Sequence, residues 1–157
     1  MTTPAARAAA LEARILASIP LTRAMQVRVV SFDGERLVVE APLDANINDK
    51  GTCFAGSLST LVTLAGWSLA TLLGEEDGER CEAAVYHSEL DFVRPVRETL
   101  RAEAWVSDPG SVARLRERLS AGKRAKLPVT VRLGPLDDPA VHFSGNYAVW
   151  RVGTQPF

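Results

Sequence analysis

The longest uncharged stretch of the chain, residues 51–74, predicts a buried helix. It contains no Asp, Glu, Lys or Arg, whereas these residues make up 24% of the whole chain. A helix through residues 55–73 is apolar nearly all round, and a helix without a polar face is buried on every side. Its length would also suit a membrane span. Its glycines, its Ser/Thr hydroxyls and the lack of flanking aromatic belts favour a core helix instead.

The segments around this helix alternate apolar and polar residues, as strands do. Asp-Gly pairs and prolines mark the turns between them. Strands are predicted over residues 25–31, 36–41, 83–93, 99–107, 126–133 and 141–152. Further helices are predicted at 5–18, where Pro20 ends an N-terminal helical segment 1–20, and at 112–121, with Ser111 as the N-cap.

This order of elements predicts one α+β domain over residues 1–157. Strands linked by hairpins form antiparallel sheets, and a curved six-stranded sheet wrapped around the long central helix would bury that helix. A single sheet of this kind leaves an edge strand open. The sequence therefore predicts a homodimer in which the sheet continues from one subunit into the next.

Composition narrows the range of partners. The net charge of −1 gives no support for a nucleic-acid partner. Basic residues do cluster between positions 114 and 126, either as a solvated helix face or as a contact for an anionic group such as a CoA phosphate. The two cysteines are too few for a disulfide framework and no secretory signal is visible, so a cytoplasmic protein is expected, with no metal site.

Several motifs together resemble the hotdog fold of thioesterases and dehydratases that act on acyl-CoA and acyl-ACP. The likeness is strongest to the thioesterase group typified by the C-terminal domain of the bacterial YiiD acetyltransferase, and it covers nearly the whole chain. The matching segments are 19–21 (IPL), 41–43 (APL) with Asn46 and Asn48, 51–58 (GTCFAGSL), 66–67 (GW), 92–95 (FVRP) and 143–147 (FSGNY).

The resemblance implies an acyl-thioester substrate, with the pantetheine of CoA or ACP as part of it and no separate cofactor. It also implies a homodimer or a dimer of dimers. In hotdog thioesterases of the phenylacetyl-CoA type, the start of the helix is N-x-x-G-x-x-H-G-G, and an acidic residue follows two turns later. This chain keeps Asn48, Gly51 and Gly56. It departs at three positions, with Phe54 in place of His, Ala55 in place of the first paired Gly, and Thr63 in place of the acid.

These departures leave the groups that would bind a thioester in place, but the catalytic groups are incomplete. Backbone N–H groups of residues 55–57 can polarise a thioester carbonyl, and Gly56 lets a ligand approach the backbone closely. Threonine cannot replace a carboxylate as general base, because its pKa is far too high. The expected catalytic residues are Asn48, Gly56, Ser57 and Thr63, and the expected substrate-binding residues are Gly51, Phe54, Ala55, His87 and Ser88.

Most of these residues also have a plain structural interpretation. Asn48 suits a turn as well as a ligand, and Ser57 suits a helix cap. Thr63 can bond its own helix backbone, and Cys53 can be an inert core residue rather than a nucleophile. On the strand after the helix, His87, Glu89 and Asp91 share one face, and Ser88 and Leu90 share the other. His87 is either a half-exposed strand residue or a base.

Three functions are compatible with these residues. The first is an acyl-CoA or acyl-ACP thioesterase. The second is a non-catalytic module that binds acyl thioesters, which the missing acid at Thr63 favours. A hydratase or dehydratase ranks last, because neither His87 nor His142 lies at the start of the central helix.

Overall fold

The computed structural model describes residues 2–154, and residues 1 and 155–157 of the predicted domain lie outside the described part. The helices are α1 Pro4–Ser18, α2 Pro20–Met25, α3 Ala55–Gly74 and α4 Pro109–Ser120, with a 3-10 turn at Asp44–Asn46. The strands are β1 Arg28–Phe32, β2 Leu37–Ala41, β3 Cys81–Phe92, β4 Leu100–Trp105, β5 Ala125–Leu133 and β6 Val141–Arg151. All pairs are antiparallel, in the order β1-β2-β4-β5-β6-β3. The predicted α+β hotdog architecture is confirmed.

The central helix α3 lies against the concave face of the sheet and contacts β2 to β6. By length and composition it could span a membrane, but 67% of its most apolar window is buried against the rest of the chain. That burial is what a core helix shows. The prediction of burial on every side is wrong in one respect, because one stripe remains partly exposed. Its members are Gly56, Ser59, Thr60, Thr63 and Trp67.

Helix α1 covers one flank of α3 by packing between it and β1. The Arg7 guanidinium donates to the carbonyl of Leu72, and Arg14 pairs with Glu75 at 3.1 Å. The stripe of α3 beside β3 is covered only in part. The Arg14 guanidinium lies over the Trp67 ring, 5.8 Å from its centre, and Ile19, after the end of α1, lines the same groove as Thr60 and Thr63.

Two helix boundaries differ from the prediction because of proline. Pro20 ends α1 as expected, but it also begins α2, since its fixed φ suits the first position of a helix. In α4, Pro109 takes that first position, so the N-cap is Asp108 and not Ser111. The Asp108 side chain accepts from the Gly110 N–H at 3.0 Å.

Part of the basic cluster, Arg114, Arg116 and Arg118, lies on α4, far from the start of α3, whereas Lys123 and Arg124 follow that helix and Lys126 belongs to β5. Leu119 of α4 packs beside Gly74, the last residue of α3, which is about 30 Å along the helix from Ala55. Arg114 pairs with Asp108 at 2.9 Å, and Arg116 pairs with Glu76. The α4 part of the cluster is therefore a solvated, ion-paired face, and it does not reach a ligand at the start of α3.

Strand β3 is an open edge of the sheet, bonded to β6 on one side only. It is 12 residues long, and most of its side chains are exposed, including the apolar Val85, Tyr86 and Phe92. A bulge between Val85 and His87 leaves Tyr86 without a partner in β6. A long unpaired edge that exposes apolar side chains is a surface on which another strand can pair.

Candidate active site

The first turn of α3 leaves two backbone N–H groups without an acceptor among residues 2–154. The Phe54 N–H donates to the carbonyl of Asn46 at 2.7 Å. The N–H groups of Ser57 and Leu58 both donate to the Phe54 carbonyl, at 3.0 and 3.1 Å. Ala55 and Gly56 remain, and both lie in the exposed or half-exposed part of the turn. Because the positive end of the helix dipole lies here, this N–H pair favours an oxygen that carries negative charge.

Phe54 and Gly56 contact each other across this turn. The Phe54 side chain is 56% exposed, and its ring lies against the α-carbon of Gly56. A β-carbon added at Gly56 would come within 2.8 Å of the ring atom Cζ, and closer still to Cε2. The contact with the Phe54 ring thus requires glycine at position 56. The sequence had suggested only one reason for this glycine, the close approach of a ligand.

Asn48 uses all of its polar capacity inside its own turn. Its Oδ1 accepts from the N–H groups of Lys50 at 2.8 Å and Thr52 at 3.1 Å. Its Nδ2 donates to Thr52 Oγ1 at 2.8 Å and to the Cys53 carbonyl at 3.3 Å. Gly51 supplies the positive φ of 77° that this turn needs. These bonds match the turn interpretation of Asn48, in which it positions the chain that leads into α3.

The hydroxyls predicted for chemistry are bonded or buried. Phe54 is the N-cap of α3 and no side chain caps it, so Ser57 is a buried residue of the first turn and not the cap. Thr63 Oγ1 donates to the Ser59 carbonyl of its own helix at 2.7 Å. Burial raises the pKa of Cys53 to about 11, so its thiol stays protonated at neutral pH and is no activated nucleophile.

A groove of about 370 Å³ runs along the exposed stripe of α3 on the flank beside β3. Most of its wall is apolar. Tyr147 of β6 forms part of the wall, and its hydroxyl donates to the Thr63 carbonyl at 2.7 Å. Burial raises the pKa of Tyr147 well above the usual range, so this hydroxyl remains a neutral donor. The lining residues are Ile19, Ser59, Thr60, Thr63, Leu64, Trp67, Val85 and Tyr147.

The pairing of β3 with β6 places His87 on the far side of the sheet from this groove. His87, Glu89 and Asp91 lie opposite Asn146, Ser144 and His142, which point away from the core. Ser88 and Leu90 lie opposite Gly145 and Phe143, which are buried on the helix side. The predicted division of faces is confirmed. Its consequence is that Ser88 shares the side of α3, while His87 is exposed on the convex side, 3.7 Å from Glu89.

Comparisons with known proteins identify the family and the fold. Residues 8–151 match the YiiD_C family model, described as "Putative thioesterase (yiiD_Cterm)". The chain belongs to this family. A "putative thioesterase" from Shewanella oneidensis is 27% identical, with a TM-score of 0.82 over 90% of this chain and 96% of that one. A protein of unknown function from Chlorobaculum tepidum is also 27% identical, with a TM-score of 0.84 over 95% and 97%.

A more distant structure shows the shared fold alone. A thioesterase from Haemophilus influenzae is 15% identical, with a TM-score of 0.72 over 93% of this chain and 92% of that one. The YiiD_C chain thus has the fold of the thioesterases that the sequence resembles.

The groove of this YiiD_C chain contains residues that the sequence analysis did not predict as site residues. Ile19, Val85 and Tyr147 come from three separate elements, and only the folded chain brings them to α3. Trp67 was noted only as part of the matching segment 66–67. One signal was present, because Thr60, Thr63 and Trp67 follow Gly56 at helical spacing on one face. Among residues 2–154, no group of three or more His, Cys, Asp and Glu is placed to hold a metal ion.

Replacing Asn48 tests whether it supports the turn. We expect Asn48→Ala to lower the free energy of unfolding by about 2 kcal/mol, because two backbone N–H groups lose their acceptor. Asn48→Asp keeps that acceptor and is expected to cost less. Urea unfolding of both variants measures this, with Asp49→Ala, an exposed neighbour, as control. Equal stability of Asn48→Ala and the wild type would contradict the structural role.

Proposed function

We propose that this chain hydrolyses acyl thioesters of CoA or acyl carrier protein at the N-terminus of α3. The observation that carries the proposal is the unpaired N–H pair of Ala55 and Gly56 beside an apolar groove. A thioester carbonyl that accepts from both groups gains negative charge as water attacks, and donors fixed in advance stabilise that charge. Membership of a thioesterase family supports the same reaction.

The other site residues have supporting roles in this proposal. Asn48 and Gly51 hold the turn that presents Ala55 and Gly56. The Thr63 hydroxyl donates a hydrogen bond to the Ser59 carbonyl and lies about 10 Å along the helix from Gly56. In this proposal it lines the groove and does not act as a general base. Ser88 lies on the helix side of β3, and Ser57 is buried in the first turn of α3; neither lines the groove itself.

A panel of acyl thioesters tests the proposal. Purified protein is incubated with short, medium, long and aryl acyl-CoAs, and with the same acyl groups on carrier protein, while thiol release is followed. Turnover above the rate of the uncatalysed reaction is expected for at least one class. Tight binding with no thiol release across the whole panel would overturn the hydrolase and support a binding module.

One observation favours that second function. Among the groove-lining residues there is no Asp, Glu or His, so the described subunit contributes no ordinary general base to the groove. A module that holds an acyl thioester without hydrolysing it needs only the N–H pair and the apolar wall. The thiol-release panel separates the two functions directly.

We also propose a homodimer in which β3 pairs with β3 of a second copy. The open edge and the exposed apolar side chains along it support this arrangement. The groove borders this edge at Val85, so the second copy would come to lie beside the groove. A cytoplasmic location is proposed as well, supported by two cysteines that are both buried and unpaired.

Charging the open edge is expected to break the dimer. Light scattering coupled to gel filtration should give twice the 17.0 kDa chain mass, or four times for a dimer of dimers. Tyr86→Lys combined with Phe92→Lys is expected to shift the protein to a single chain mass, because lysines repel strand pairing at an edge. Leu136→Lys, at a similarly exposed site off the edge, serves as control. A wild type at 17.0 kDa would contradict the dimer.

A further inference from the structure

The hydroxyl-bearing stripe of α3 forms an apolar wall because its donors are already used. Ser59 Oγ donates to the Ala55 carbonyl at 3.0 Å, and Thr60 Oγ1 donates to the Gly56 carbonyl at 2.8 Å. Thr63 repeats the pattern one turn further on. Hydroxyls bonded to their own helix keep their methyl and methylene groups available for packing. The groove therefore suits a hydrocarbon chain better than a polar ligand.

The groove begins one turn above the N–H pair, at Ser59 and Thr60, and follows the helix toward the middle of α3. Thr60 lies one turn above Gly56 on the same face, and Thr63 and Trp67 continue the line. From Gly56 to Trp67 the helix rises by about 16 Å. A carbonyl held at Ala55 and Gly56 would thus direct a straight acyl chain along this line toward Trp67.

Trp67 closes the far end of the groove. Its Nε1–H donates to the Ala83 carbonyl of β3 at 2.9 Å, which ties the indole to the edge strand. The Arg14 guanidinium lies over the ring, 5.8 Å from its centre. Beyond Trp67 is a second groove of about 520 Å³, whose lining includes the charged Arg80 and Glu82. The indole is the partition between an apolar space and a charged one.

We propose that the groove takes the linear acyl chain of the thioester and that Trp67 sets the longest chain it accepts. The inference rests on the proposed function, since it assumes a thioester carbonyl at the N–H pair. A chain that ends before Trp67 lies against the apolar wall along its whole length. A longer chain meets the fixed indole and must turn out into water, which forfeits the burial of its last methylene groups.

Opening the partition tests this inference. For Trp67→Ala we expect the ratio of kcat/KM for long-chain over medium-chain acyl-CoA to rise at least about tenfold, because each buried methylene of a substrate is worth that order of discrimination. Thr63→Phe, which fills the middle of the groove, is expected to shift the preference toward shorter chains. Trp67→Phe keeps most of the bulk and should retain the wild-type preference, which separates blocking from the hydrogen bond to Ala83.

The controls distinguish failure of this inference from failure of the proposed function. Trp105→Ala removes a tryptophan that contacts Arg36 away from the groove, and should leave the preference unchanged. Turnover by the wild type with an unaltered chain-length profile in Trp67→Ala overturns the inference alone, whatever the profile of Thr63→Phe. If the wild type shows no turnover, the hydrolase fails. Dissociation constants of the acyl-CoA series, measured by calorimetry for the wild type and the same variants, then decide whether Trp67 limits chain length.

Discussion

Ala55→Pro is expected to lower kcat by about 10²–10³-fold while leaving the fold intact, because proline removes one of the two unpaired N–H groups. Ala55 is the first residue of α3, where the N–H has no partner inside the helix. Proline is common at this position, since its fixed φ already matches the helix. The loss is therefore confined to the donor that the proposed reaction uses.

The backbone around Ala55 already has a conformation that suits proline at this position. A residue before proline prefers an extended conformation, and Phe54 already has φ −63° and ψ 130°. Ala55 is exposed, so the pyrrolidine ring meets no core residue. The free energy of unfolding should stay within about 0.5 kcal/mol of the wild type. Proline at Gly56 would be unsuitable, because it would force Ala55 out of its helical conformation.

Steady-state thiol release and urea unfolding, measured on the same preparation, check both halves of this prediction. Ala55→Ser keeps the N–H and is expected to retain near wild-type turnover. A stable Ala55→Pro protein that hydrolyses as fast as the wild type would show that the Ala55 N–H takes no part in the reaction. A loss of both stability and activity would contradict the claim that the helix start tolerates proline.

The N–H pair was only partly predictable from the sequence. Every helix start leaves backbone donors, so a glycine-rich entry into an uncharged helix pointed to this turn. Which donors remain unpaired depends on the local winding of the chain. Ser57 was expected among them, but a tight bond to the Phe54 carbonyl takes its N–H. Asn48 was ambiguous for a related reason, because the same amide suits a turn and a ligand equally well.

The architecture was far more predictable than the site. An uncharged helix among alternating strands has few ways to bury itself, so α3 and the sheet follow from pattern alone. Helix α2 was missed because six residues are too few for a periodic signal, and Pro20 indicated an end rather than a new start. The groove was missed because Ile19, Val85 and Tyr147 lie far apart in sequence. Their meeting is a tertiary fact that no local pattern contains.

Gly66→Ala is expected to lower the free energy of unfolding by about 3 kcal/mol, although helix propensity alone predicts the opposite sign. In an exposed helix, replacing Gly by Ala stabilises by about 1 kcal/mol. At Gly66 an added β-carbon would lie 2.7 Å from Cζ of the buried Tyr147 ring, and closer still to its hydroxyl. The ring cannot move aside, since its hydroxyl is bonded to the Thr63 carbonyl and Gly145 closely contacts its edge.

Tyr147→Phe supplies the matched control, because it removes the atom nearest to the added methyl group. The single variant should cost about 1 kcal/mol through the lost hydrogen bond to Thr63. In the Tyr147→Phe background, Gly66→Ala is expected to cost about 1 kcal/mol less than in the wild type, since residues in contact couple. Chemical denaturation of the wild type, the two single variants and the double variant completes this double-mutant cycle. A stabilised Gly66→Ala, or equal costs in both backgrounds, would show that Tyr147 does not require the glycine and that propensity outweighs packing at this contact.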